Sequence, residues 1–172
     1  MKENLLEVVE SFNLSKWQST DSCWILKDLE ATIALGKSLT EIIPHLKILL
    51  LEGPLGAGKT SLVKGIAIGL GINEPITSPT FPLAQHYLLG EEPLFHLDLY
   101  RLDDQNAADE LFLQEEEEAA MLNALIVVEW PERLTVSLPE AWKLVLKHRS
   151  KGGRFAQLIP PIDSERNSFT SS

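Results

Sequence analysis

The stretch Leu49-Leu-Leu-Glu-Gly-Pro-Leu-Gly-Ala-Gly-Lys-Thr-Ser-Leu-Val-Lys-Gly65 runs an apolar segment into a glycine-rich octet. Gly53, four residues, then Gly58-Lys59-Thr60 complete the pattern G-x-x-x-x-G-K-[ST]. Upstream, Lys47–Glu52 is a short continuous apolar run, which suits a buried parallel strand. Downstream, Leu62, Ile66 and Leu70 recur on one helical face. Strand, glycine loop and helix together form the context in which this octet cradles a nucleotide triphosphate. Glycines let backbone N–H groups approach phosphate oxygens, and the helix beginning near Lys59 adds its positive dipole end. Lys59 is placed to reach the β- and γ-phosphates, and the Thr60 hydroxyl to ligate Mg²⁺.

Outward from this loop, Asp28–Pro44 carries Ile33, Leu35, Leu39, Ile42 and Ile43 at near-helical spacing, closed by the proline. Five further runs read as strands: LAQHYLL, PLFHLDLY, ALIVVEW, WKLVLKH and RFAQLI. A helical segment, NAADELFLQEEEEAAML, lies between the third and fourth of the six strand candidates. This order predicts an α/β, P-loop NTPase-like three-layer fold, its central sheet mostly parallel with antiparallel strands added at one side. Residues 1–20 read as a weakly amphipathic arm, 21–160 as the P-loop domain and 161–172 as a polar tail expected to fray.

Length and composition set limits. The 172 residues suffice for one domain, and the formal charge of −10 disfavours autonomous tight binding to nucleic acid. That charge suits a basic protein partner, although solvation alone explains it as well. The lone cysteine, Cys23, forms no intramolecular disulfide and reads as an ordinary free thiol. No apolar run is long enough to span a membrane, and Glu7 and Glu10 interrupt any signal-peptide core, so a cytoplasmic location is expected.

A magnesium-dependent site needs a carboxylate at the end of a neighbouring strand. Asp98 closes LFHLD and Glu129 closes LIVVE, so either is a candidate, on the crevice side where ligands bind in open α/β sheets. Thr80, in the proline-stiffened Ser78-Pro-Thr-Phe81, is at the range of a switch-loop threonine, though from the residues alone a plain turn is the favoured reading. His96 shares a strand face with Asp98 and reads as packing rather than proton transfer. Trp130 points the other way if its strand continues, and the Glu115–Glu118 run reads as a solvated helix face.

The fate of the terminal phosphate follows partly by exclusion. Between Lys64 and Arg133 the only lysine or arginine is Arg101, whereas a lid-bearing small-molecule kinase needs basic residues over the transferred group. No Asn-Lys-x-Asp guanine-reading motif occurs. A small-molecule kinase and a nucleotide-gated binding module remain the alternatives to ATP hydrolysis.

Four segments in order, GPLGAGKTSLVKG, SPTF, HLDLYRL and VVEWPERL, resemble the TsaE (YjeE) family, and Glu30–Leu39 resembles its Thr-x-x-Leu-Gly segment. The similarity spans about Leu29 to Arg154. It implies the ATPase component of the bacterial machinery for threonylcarbamoyladenosine in tRNA, weak alone and working with TsaD and TsaB proteins, with tRNA reached only through that complex. It implies nucleotide binding by Gly53, Gly56, Ala57, Gly58, Lys59, Thr60 and Ser61, with Leu29, Thr32 and Arg154 flanking the base. It further implies Mg²⁺ on Thr60 and Glu129, a catalytic role for Asp98 beside Lys59, Thr80 in a switch-like loop, and Trp130 in the site wall or a partner surface. Two departures stand out: no glycine occurs between Asp98 and Glu129, and the leader exceeds the family's usual start.

Overall fold

A computed structural model describes residues 22–43, 45–79 and 83–162. The expected N-terminal arm and nearly all of the expected tail lie outside these residues, as does Thr80. The chain runs β1 (Ser22–Leu26), α1 (Leu29–Ile42), β2 (Ile48–Glu52), α2 (Lys59–Gly69), β3 (Ala84–Tyr87), β4 (Leu94–Asp98), α3 (Gln105–Met121), β5 (Leu125–Glu129), a 3₁₀ turn (Pro131–Arg133), β6 (Trp142–His148) and β7 (Arg154–Ile159).

The strands form one sheet in the order β1-β7-β6-β2-β5-β4-β3. Its centre, β6-β2-β5-β4, is parallel throughout. Antiparallel strands border both edges, not one: β3 pairs with β4, while β7 pairs with β6 and β1 with β7. The connections explain this, because Leu88–Pro93 is too short for a crossover and forces β3 back alongside β4. All six expected strands are present. The seventh, β1, was not expected, since in Ser-Cys-Trp-Ile-Leu apolar residues occupy both faces: Trp24 and Leu26 are buried, Cys23 and Ile25 exposed.

Two cores flank the sheet, giving three layers. On one side Leu49, Leu51 and Val127 pack under Leu35 and Leu39 of α1 and Leu62 and Ile66 of α2. On the other, Phe95, Leu97, Ile126 and Val128 pack under Ala108 and Phe112 of α3. Burial of this apolar surface is the main force that fixes the loop to the sheet. Asp28 caps α1, its Oδ1 accepting from Ala31 N at 2.8 Å. The helices α1 and α2 approach closely because Gly36 and Gly65 lack side chains: a Cβ on Gly36 would lie 2.1 Å from Leu62 O, and one on Gly65 2.0 Å from Ile33 O. This contact holds the start of α2, and with it Lys59 and Thr60, against the sheet.

The glutamate run corrects the expectation of a solvated face. Glu115 shares the core-facing stripe of α3 with Ala108, Phe112 and Ala119 and is buried, whereas Glu117 faces out. Among the described residues no helix is long and apolar enough to cross a membrane.

Candidate functional site

The site lies at the carboxyl ends of β2, β4 and β5, the edge where parallel α/β sheets bind ligands. After β2 the chain turns through Gly56 and Gly58, whose φ values of 75° and 100° favour glycine. Gly58 is the N-cap of α2 and has no side chain to occupy the first amides, so they stay open to an anion. A cavity of about 370 Å³ opens here, lined by Gly58, Lys59, Thr60, Asp98, Glu129 and Arg154, together with Ala57 and Ser61 of the loop.

Lys59, although buried, is oriented by three contacts. Its Nζ donates to Gly53 O at 2.6 Å and Pro54 O at 3.1 Å, and stands 4.0 Å from the centroid of the Trp130 ring. Burial pushes the ammonium below the usual lysine range, opposed by the negative charges of Glu129, Glu132 and Asp98. An anion at this position would relieve that cost. Trp130 reaches the lysine because β5 ends at Glu129. Its backbone turns left-handed (φ 61°, ψ 50°), so it does not continue the strand.

Asp98 and Glu129 are register partners on adjacent parallel strands, hence neighbours on one face. Glu129 Oε1 accepts from Thr60 Oγ1 at 2.9 Å and lies 2.9 Å from His96 Nε2. A carboxylate only accepts, so Nε2 carries the proton; His96 is fully buried and its Nδ1 has no partner among the described residues. Asp98 is held by its other neighbours: Oδ2 accepts from Ser78 Oγ at 2.8 Å and Oδ1 from Tyr100 N at 3.0 Å. Ser78 is not among the residues that the sequence singles out, whereas Thr80, two positions on, is. The signal was the Ser78 hydroxyl on the same proline-stiffened segment.

Arg154, from β7, comes against the loop: a Cβ on Gly58 would meet its Nε at 2.9 Å. Nη1 is 3.4 Å from Thr32 Oγ1, while Nε is buried with no partner among the described residues. Leu29 is exposed on the first turn of α1 and does not line the cavity. An orphaned guanidinium N–H beside open helix amides fits a bound phosphate, and a hydroxyl touching a carboxylate supplies the hard oxygen ligands that Mg²⁺ takes.

The glycine loop on this sheet defines a P-loop NTPase-like α/β protein. In YdiB of Bacillus subtilis, a crystal structure, the same architecture recurs with a TM-score of 0.65 and 29% identity, covering 83% of this chain and 86% of that one. The family model for "Threonylcarbamoyl adenosine biosynthesis protein TsaE" matches residues 26–156, and the chain belongs to that family, which acts in tRNA threonylcarbamoyladenosine biosynthesis. The chain is similar to the tRNA threonylcarbamoyladenosine biosynthesis protein TsaE of Nostoc sp., with 40% identity over 78% of this chain and 83% of the relative. It is also similar to that of Synechocystis sp., with 46% identity over 64% of this chain and 71% of the relative.

Proposed function

We propose that the chain is a cytoplasmic, Mg²⁺-dependent ATP hydrolase, weak alone, whose turnover serves TsaD- and TsaB-type partners in the modification of tRNA. The observation that carries this reading is the 2.9 Å contact between Thr60 Oγ1 and Glu129 Oε1, beside the amides that follow Gly58. Thr60 and Glu129 would hold Mg²⁺, which supplies charge neutralisation across the phosphate oxygens.

The chain's own residues do the rest. Lys59 exchanges the carbonyls of Gly53 and Pro54 for phosphate oxygens, a gain for a buried cation. The α2 amides and Arg154 Nε bind the phosphate chain. Asp98, whose oxygens each retain a free lone pair, orients the attacking water and accepts its proton as the bond from the γ-phosphorus to the ADP oxygen breaks. His96 holds Glu129 in position.

Scarcity of basic residues over the site argues against phosphoryl transfer to a metabolite, because among the described residues only Arg101 joins Lys59 and Arg154 as a cation lining the cavity. The test is copurification with TsaD- and TsaB-type proteins in ATP and in ADP, with phosphate release measured in the same samples. We expect nucleotide-dependent association, stimulated release, and loss of release in Lys59→Ala. A phosphorylated metabolite in place of free phosphate would identify a kinase. Function retained in Asp98→Ala and Glu129→Ala would identify a binding module.

A further inference from the structure

The strand β3 and the helix α3 bring together three metal-ligating side chains remote from the nucleotide loop. His86 Nε2 lies 2.5 Å from Glu115 Oε2, and one ligand atom each from His86, Glu115 and Glu118 fall within 4.8 Å of one another. Two features set this group apart from a surface ion pair. Glu115 occupies a position on the apolar stripe of α3 and is only 7% exposed, so its charge needs compensation. One helical turn on, Glu118 adds a like charge on the same face, which is unfavourable by itself. Among the described residues no lysine or arginine pairs with either carboxylate, and His86 alone faces both.

The histidine is fixed for the task. Its ring stacks on the fully buried Phe95 at 3.8 Å and 14°, the residue it also pairs with in the β3–β4 register. A cavity of about 750 Å³ opens beside His86 and Glu115, with Glu74 and Thr77 on its wall, leaving room for waters to complete a coordination sphere.

We propose that His86, Glu115 and Glu118 bind a first-row divalent transition-metal ion, with Zn²⁺ the best match. Imidazole nitrogen and carboxylate oxygen are both ligand types that zinc takes, and three protein ligands leave its fourth position open, whereas Mg²⁺ and Ca²⁺ prefer all-oxygen sites. The bound ion joins edge strand β3 to α3 and neutralises the buried charge. This site stands independently of the proposed ATP chemistry.

Zn²⁺ and, separately, Mg²⁺ are titrated calorimetrically into the full chain after EDTA treatment and dialysis. The variants are Glu118→Gln, His86→Asn and Thr60→Ala, each checked for folding by circular dichroism. Glu118 is half-buried and makes no side-chain hydrogen bond among the described residues, so Glu118→Gln keeps the fold and the comparison stays decisive. The expected result is one Zn²⁺ per chain, not displaced by excess Mg²⁺, weakened at least about tenfold in Glu118→Gln and His86→Asn and unchanged in Thr60→Ala. Wild-type Zn²⁺ affinity in Glu118→Gln, absence of stoichiometric uptake by the wild type, or loss in Thr60→Ala alone overturns the assignment.

Discussion

His96 on β4 reaches across to Glu129 on β5, its Nε2 2.9 Å from the same Oε1 that accepts from Thr60. One oxygen thus holds two neighbours, and the histidine acts on it from the fully buried side. Removing such an outer partner typically costs 10–100-fold in metal affinity. On the proposed role of Glu129 as a Mg²⁺ ligand, His96→Leu is expected to raise the Mg²⁺ midpoint for ATP binding by about that factor, with His96→Gln restoring much of the affinity through its amide N–H. Mg²⁺ titrations at saturating ATP make the check. A merely structural histidine would lower stability in both variants and leave the Mg²⁺ midpoint where it was.

Packing of α1 on α2 gives a second expectation. A Cβ on Gly65 would stand 2.0 Å from Ile33 O and 2.9 Å from Lys37 N, both backbone atoms that cannot rotate away. Gly65→Ala must then separate the helices, an overpacking cost of about 1–3 kcal/mol. Urea unfolding should show a lower midpoint with little change in slope. An unchanged midpoint would mean that α1 is free to slide.

These two contacts mark what could be read from the chain and what could not. The octet and the strands ending in Asp98 and Glu129 are local patterns, since an apolar run that stops at an acid needs no tertiary knowledge to notice. Arg154 reaches Gly58 only because β7 folds back on β6, which lies beside β2, and no spacing encodes that path. The glutamate run hides the burial of Glu115, because four like residues carry no phase to show which one faces the core. Trp130 extends the run Leu125–Glu129 in sequence, and only its left-handed backbone, at the N-cap of the 3₁₀ turn, takes it out of the strand. In β1, apolar side chains on both faces mask the alternation that identifies a half-buried strand.

Asp109 ties α3 to the segment after the 3₁₀ turn. It accepts from the Thr135 hydroxyl, from Thr135 N at 2.8 Å and from Val136 N at 3.4 Å. The Thr135 hydroxyl, then the Thr135 amide, hold its carboxyl below the usual carboxylate value, opposed by desolvation and aided last by the Val136 amide. A folded-state pKa below the unfolded one means stability that is present above the ordinary value of 3.8 and lost as pH falls through the lower, folded value. Asp109→Ala should thus be less stable than wild type at neutral pH, with the difference shrinking once pH drops below 3.8. Urea midpoints for the pair from pH 7 downward test this; a gap that persists in acid would assign the loss to packing.

Lys59 gives the opposite sign. Its ammonium is depressed below 10.5 chiefly by burial, so between the folded value and 10.5 the unfolded chain binds more protons and stability rises with pH. Below that window the buried charge is a standing cost, held in place by the carbonyls of Gly53 and Pro54 and the face of Trp130. Lys59→Met removes the cost. Without nucleotide, the variant is expected to unfold at or above the wild-type midpoint near neutral pH, with the wild type catching up as the solution is made alkaline. With Mg-ATP the order reverses. At a hundred times its dissociation constant a ligand adds about 2.7 kcal/mol to the protein that binds it, and the variant, lacking the phosphate contact, gains little. Thermal melts of both proteins across pH, with and without Mg-ATP, test the pair of statements together. A variant already much weaker without nucleotide would show that the lysine is a structural strut rather than a charge kept waiting for phosphate.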